Sequence, residues 1–307
     1  MDNFPVQLPV HWRQHRTRIL VLGASGRLGC ALSHRIRCTA GRSRSAHMIW
    51  QTRKSSFHFR SPSGESLVWD ILNEDAPSGV KADIVLCLAG VVPGGRGCLS
   101  QNSDLARSAL NFAHKIAARH VFLASSAAVY GAGPFGEDTI PKPINAYGRA
   151  KAKMERTAML WRETAPVGAP GLTMMRIGNV AGADSVLGPG PRHVELVSGP
   201  NGEPIKRSFI GPSRLSDMLL DLAQMAAAGF ALPQFLNVAL SPSVSLRDVL
   251  DQAGWPYSER PTAGLRPIEV ALQTQRLAQL GLCPDRNAGI ADILNDLHGL
   301  GDVNDVA

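Results

Sequence analysis

Tyr147 and Lys151 stand four residues apart in the run Tyr147-Gly148-Arg149-Ala150-Lys151. On a helix that spacing puts both on one face, so a phenol and an ammonium can enter the same cleft. Such a pair can move a proton to or from a hydroxyl or carbonyl oxygen. Ser126, at the end of the strand expected over His120–Ala124, can hydrogen-bond that oxygen and steady it. A tyrosine and a lysine at this spacing also occur by chance, as core packing beside a surface charge. The three residues therefore gain meaning only from the elements that position them.

The first of these elements is a glycine turn. Gly23-Ala24-Ser25-Gly26-Arg27-Leu28-Gly29 joins the apolar run Arg18–Leu22 to a helix expected from Gly26 to about Cys38. Glycines there permit a tight turn and let backbone N–H groups approach a pyrophosphate at the helix N-terminus. Gly23, Ser25, Gly26, Arg27, Leu28 and Gly29 are the expected dinucleotide-binding residues, with a purely structural turn as the alternative. A nicotinamide cation beside Tyr147, together with the Lys151 ammonium, would favour the phenolate over a free phenol of pKa near ~10. Sites that prefer NAD place a carboxylate after the second strand, on the ribose 2′-OH. Here that place reads Gln51-Thr52-Arg53-Lys54. An arginine can accept a 2′-phosphate bidentately, so Arg53 points to NADP, with Arg42 and Arg44 as auxiliary or solvated cations. Asp70, with Ile71 beside it, can hold the adenine amino group or serve as a surface turn residue.

Strands and helices alternate around these motifs. Strands are expected at Arg18–Leu22, His47–Thr52, Leu67–Trp69, Asp83–Leu88, His120–Ala124 and Leu172–Ile177. Helices are expected at Asp104–Ala118 and from Tyr147 to about Glu163. That alternation predicts an α/β, Rossmann-type, doubly wound and mostly parallel sheet. After Asn179 the texture changes: Gly182–Pro204 reads as loops, Ser213–Ala228 as helix and Phe235–Val238 as strand. The remainder reads as two or three helices with turns at Pro256, Pro261 and Pro284. The expected division is a leader (1–17), a dinucleotide-binding domain (18–177, with 213–240 returning to it) and a small C-terminal substrate lobe (178–212 and 241–300).

Composition narrows the class. The chain has 307 residues, 44% of them apolar, which suffices for a globular core. No run approaches the roughly 18 apolar residues of a membrane span, so no membrane partner is expected. Cysteines 30, 38, 87, 98 and 283 are scattered without a CxxC pair, and the nine histidines show no HExxH spacing. Reduced thiols in a cytoplasm and no metal site are the expectations. The net charge of +7 is uneven, for no acidic residue lies between Asp2 and Glu65. Arg13, Arg16, Arg18, Arg27, Arg35, Arg37, Arg42, Arg44, Arg53, Lys54 and Arg60 all fall there. A nucleic-acid patch, a solvated basic face and a phosphorylated-dinucleotide pocket are the three readings, and nucleic acid is not the partner expected. A transit peptide would share this composition, but the stretch runs through the first strand and helix of the fold. Met174-Met175 and the histidines His114 and His120 read as core or cap, and Asp217 as a cap or partner of Arg214.

The motifs GASGRLG, DIVLCLAG, SSAAVYG, YGRAK and RIGNVAG occur in an order and spacing that resembles the extended short-chain dehydrogenases/reductases, the NAD-dependent epimerase/dehydratase family. The resemblance runs from Arg18 to about Leu297. It implies that Ser126, Tyr147 and Lys151 are the catalytic triad. It implies that Leu88, Ala89 and Gly90 line the nicotinamide-side ribose, which Lys151 also binds. Asn179 and Arg207 fall where the family touches the substrate's diphosphate or sugar, and a homodimer is implied. The 4,6-dehydratases follow the serine with Asp-Glu; here Ala127 and Ala128 follow Ser126, so elimination of water is not expected. SSAAVYG looks most like the sugar 4-epimerases, although the segment between Asn179 and Arg207 is short.

Two enzymatic readings follow. In the first, an NAD(P)-dependent epimerase moves a hydride off and back onto a sugar or nucleotide-sugar carbon, with Tyr147 as acid/base. In the second, an NADPH-dependent reductase acts on a smaller carbonyl substrate. A non-catalytic NADP(H)-binding regulator stands behind both, since such relatives usually lack the Tyr or the Lys.

Overall fold

The computed structural model describes residues 17–39, 46–54, 64–95, 97–131, 133–184, 187, 193–262, 269–282 and 289–298. Residues 1–16 of the expected leader, Arg42, Arg44 and the turn at Pro284 lie outside them. The first half comprises β1 (Thr17–Leu22), α1 (Arg27–Cys38), β2 (Ala46–Thr52), β3 (Glu65–Val68), β4 (Ile84–Cys87), α2 (Gln101–Lys115) and β5 (His120–Ser126). A helical turn at Ala127–Val129 and β6 (Gly133–Phe135) lead to α3 (Ala146–Glu163) and β7 (Gly171–Ile177). Then come β8 (Asn179–Val180), β9 (Val194–Ser198), β10 (Lys206–Arg207), β11 (Phe209–Ile210), α4 (Pro212–Ala227) and β12 (Phe235–Val238). The chain continues through β13 (Val244–Ser245), α5 (Leu246–Ala253), β14 (Tyr257–Pro261), β15 (Glu269–Leu272), α6 (Gln275–Gln279) and α7 (Ile290–His298).

Seven strands form one sheet in the order β12-β7-β5-β4-β1-β2-β3. Every neighbouring pair is parallel. β1 shows why these residues make an interior strand. Ile19 and Val21 join one core cluster, with Leu32 of α1 and Leu219 of α4. Leu20 and Leu22 join the other, with Leu110 of α2 and Met154 of α3. A strand covered on both faces has no polar side, hence the unbroken apolar run. The strand order reverses between β1 and β4, the place where open α/β sheets leave a crevice at their carboxyl ends.

Asp217, read as a cap or a partner of Arg214, pairs with Arg35. Its carboxylate receives Arg35 Nε at 3.1 Å and Nη2 at 2.7 Å, tying α4 to α1. The partner lies 182 residues away, beyond any local reading. His120 is buried at the start of β5, its Nε2 within 3.0 Å of Thr173 Oγ1. Burial pushes its pKa down to about 4.

The C-terminal part departs from the expected texture. Three helices are present, but so are β13, β14 and β15. A second sheet runs β13-β10-β15-β6, and β14 pairs in parallel with β9, inside the stretch expected to be loops. These strands have two to five residues and partners far away in sequence, so no local period announces them.

Between α3 and the central sheet lies an ion pair. Arg176 and Glu155 are only 2% and 3% exposed. Arg176 donates from Nε to Glu155 Oε1 at 3.1 Å and from Nη2 to Oε2 at 2.9 Å. Its Nη1 donates to the Tyr130 hydroxyl at 2.8 Å and the Glu137 carbonyl at 3.0 Å. The rings of Tyr130 and Phe235 flank the guanidinium at 4.9 and 4.4 Å. Removing one member strands a buried charge, whereas replacing both with apolar side chains does not. Glu155→Ala is expected to lower stability by about 3–5 kcal/mol. The double variant Glu155→Met/Arg176→Met should recover at least half of that loss in urea unfolding. A double variant as unstable as the single would contradict this account.

Candidate active site

A cleft of about 1550 Å³ opens along the carboxyl ends of β1, β4, β5 and β7. Its wall at one end is the glycine turn. Gly23 has φ +83°, and a Cβ there would lie 2.6 Å from the Ala89 backbone, so only glycine lets the turn approach the loop after β4. Ser25, Gly26, Arg27 and Leu28 continue the wall. Gly29 does not: it is buried against Ala24 beneath the turn and lies outside the cleft wall. α1 begins at Arg27 with no side-chain cap on Gly26 and no acidic residue in its first turn. Its positive end therefore faces the cleft without an internal anion.

The far end of the cleft is formed after β2 and β3. Arg53 is exposed and lines the cleft. Asp70 and Ile71 line it too. The Asp70 carboxylate accepts from Leu72 N–H and Asn73 Nδ2, each at 3.0 Å, and so also closes its own turn. Hydrogen bonding to Asn73, more than the nearby Arg53, lowers its pKa. Gln51, read from sequence only as a missing carboxylate, is buried. Its Oε1 accepts from Gly23 N–H at 2.8 Å, and its Nε2 donates to the Trp69 carbonyl.

The opposite end of the cleft collects residues from β4, β5, α3, β8 and β10. Leu88, Ala89 and Gly90 follow β4, Ser126 ends β5, and Tyr147 and Lys151 face the cleft from α3. Two features seat α3. Asn145 caps it, its Oδ1 accepting from Gly148 N–H at 2.7 Å. A Cβ on Gly148 would lie 2.0 Å from the Ala128 carbonyl, so glycine lets Tyr147 come beside the Ser126 strand end. Asn179 and Arg207 line the cleft from β8 and β10. Asn102, which no sequence signal singled out, fixes the loop after β4 by bonding both N–H and C=O of Val91.

Electrostatics at this end differ from the simple expectation. The Lys151 ammonium donates to the Ala124 carbonyl at 2.9 Å and sits 5.9 Å from the Tyr147 ring centroid. Tyr147 is nevertheless pushed up from its ordinary pKa by burial, with the Ser126 hydrogen bond pulling the other way. Desolvation outweighs that hydrogen bond, so burial favours the neutral phenol. Burial likewise pushes Lys151 from 10.5 down to about 8, opposed by Cys87 and Glu155.

That depression has a sign. Below pH 8 the folded state carries the full penalty of a buried ammonium. Between 8 and 10.5 the folded chain sheds the proton more readily than the unfolded chain, and the penalty fades. Lys151→Met is expected to be the more stable protein at pH 7, by up to about 3 kcal/mol. The gap should close as the pH rises through 8 to 10.5. Thermal denaturation across this range checks it, and a gap independent of pH would refute it.

A model of the NAD-dependent epimerase/dehydratase family matches residues 19–195, more than half of the chain. No curated protein matches the sequence. Solved structures resemble the fold at low identity. A UDP-glucose-4-epimerase from Stenotrophomonas maltophila, with bound NAD and formylated UDP-arabinopyranose, superposes with TM-score 0.71 at 17% identity, over 92% of this chain and 96% of that one. A NAD-dependent NDP-hexosamine 5,6-dehydratase involved in tunicamycin biosynthesis gives 0.68 at 20%, over 94% and 99%. A UDP-N-acetylglucosamine 4-epimerase from Bacillus cereus gives 0.66 at 16%, over 93% and 99%. With the parallel sheet, the glycine turn and the family match in agreement, the chain belongs to the NAD-dependent epimerase/dehydratase family of enzymes.

Proposed function

We propose that the chain is an epimerase acting on a sugar or nucleotide-sugar hydroxyl, with Ser126, Tyr147 and Lys151 as its catalytic set. The observation that carries this reading is their convergence on one cleft with the glycine turn. A nicotinamide dinucleotide, when bound, supplies the acceptor and donor of the hydride. The uncapped N-terminus of α1 fits its pyrophosphate, and Asp70 with Ile71 fits its adenine. Tyr147 takes the hydroxyl proton as the sugar carbon is oxidised and returns it when the carbon is reduced from the other face. Ser126 holds the reacting oxygen, and Lys151 holds the ribose and favours the phenolate. The substrate's diphosphate lies against Asn179 and Arg207, in the lobe formed by residues 178–212 and 241–300. Epimerisation rather than elimination is supported by the cleft's wall. Among the described residues its carboxylates are Asp70 and Asp184, while Ala127 and Ala128 adjoin Ser126.

The alternative, an NADPH-dependent reductase of a smaller carbonyl compound, is favoured by the adenosine end. Arg53 stands there exposed, and no carboxylate ends β2. Arg53 supports NADP(H) over NAD(H) under either reading. The chain acts as a homodimer in the cytoplasm on both.

Two measurements test this. Denaturing the purified protein and identifying the released nucleotide by mass spectrometry should give a nicotinamide dinucleotide in near one-to-one amount. NADP(H) supports the role of Arg53, and NAD+ refutes it. An empty site that NADPH fills reversibly points to the reductase. Tyr147→Phe should lower the interconversion of UDP-hexose 4-epimers by about 10²-fold or more while dinucleotide binding is kept. Unchanged turnover would sink the catalytic assignment.

A further inference from the structure

The groups beneath the reacting residues form a second layer with no proton to transfer. Glu155 lies one helical turn beyond Lys151 on α3, and the two side chains meet consecutive residues of β5. Lys151 donates to the Ala124 carbonyl at 2.9 Å, and Ser125 Oγ donates to Glu155 Oε1 at 2.6 Å. Ser126 is the next residue. Glu155 is itself held from behind by Nε and Nη2 of Arg176. Arg176 also holds the hydroxyl of Tyr130, which lines the cleft four residues beyond Ser126.

We infer that Glu155 is a positioning residue: through the Ser125 hydroxyl it fixes Ser126 against Tyr147, and with Lys151 it sets where α3 sits along β5. The inference rests on the reading of Ser126, Tyr147 and Lys151 as the catalytic set. Stability alone does not call for this arrangement, because apolar side chains of similar volume can hold a helix on a sheet equally well. Apolar contact is non-directional and tolerates sliding. A serine donor, a forked guanidinium and a carboxylate between them specify distance and angle together. Proton transfer needs that specification, since small displacements of a reacting group lower rates steeply.

The test reads the Ser126–Tyr147 geometry without a substrate. The chain has three tyrosines, so tyrosine labelled with ¹³C at Cζ gives three resolvable NMR signals, and Tyr147→Phe assigns one. Tyr147 titrates beside Ser126, whose hydrogen bond pulls its midpoint down, and beside the Lys151 ammonium. Glu155→Gln unpairs a buried guanidinium and can prevent folding. Ser125→Ala leaves the ion pair whole and removes only the tether. In the full-length Ser125→Ala protein the Tyr147 midpoint is expected to rise by about half a pH unit or more as Ser126 drifts. Ser125→Thr, which keeps the hydroxyl, should return it towards the starting value, and Tyr257 should not move. An unchanged Tyr147 midpoint in Ser125→Ala overturns the inference. That result is distinct from unchanged turnover in Tyr147→Phe, which would instead remove the catalytic set it rests on.

Discussion

Placing a guanidinium and a carboxylate where water does not reach is among the more expensive arrangements a fold can contain, and each must find its solvation inside the protein. Arg176 and Glu155 manage it because each donor and acceptor already belongs to a neighbouring element. The fork of Arg176 is matched by Glu155 on α3, and its remaining arm by Tyr130 and the Glu137 carbonyl. Tyr130 passes the chain of bonds on to Asn237 Oδ1 at 2.9 Å. Asn237 Nδ2 donates to the carbonyls of Phe135 and Gln273. Segments from the turn after β5 to Gln273, just before α6, therefore meet around one buried positive charge. The floor of the cleft inherits their relative positions.

Above that floor the same low dielectric acts on Lys151 and Tyr147, in opposite senses for the two groups. Burial disfavours a charged lysine and a charged tyrosinate alike, so it lowers the one and raises the other. Burial thus favours the neutral form of both groups. A cation arriving beside the phenol shifts this balance in the direction of the phenolate, and the low dielectric makes that shift larger than it would be in water.

How much of this was legible in the sequence depends on whether the information was local. β1, the glycine turn and α1 were readable because a doubly buried strand is uniformly apolar and the switch to helical period follows at once. Tyr147 and Lys151 were readable because their spacing is that of a helix face. Arg35–Asp217 and Arg176–Glu155 were not, because nothing near Asp217 or Arg176 names a partner 182 or 21 residues away. β13, β14 and β15 were missed for a related reason: strands this short are made by the edge they join, not by their own residues. The upward pull of burial on Tyr147 was not legible, on different grounds. A sequence places a charge beside the phenol but gives no measure of the desolvation that opposes it.

The adenosine end joins these threads. In many dinucleotide folds the residue ending the second strand turns a carboxylate outwards to the ribose hydroxyls. Here Gln51 turns its amide inwards, to Gly23 N–H and the Trp69 carbonyl, where an ionised carboxylate could accept the first bond but could not donate the second. The amide therefore stitches the glycine turn to Trp69, the residue after β3. Arg53, two residues on, is exposed and lines the cleft. An amide at this place in β2 thus does what a carboxylate could not, joining the glycine turn to the residue after β3 while adding no negative charge there.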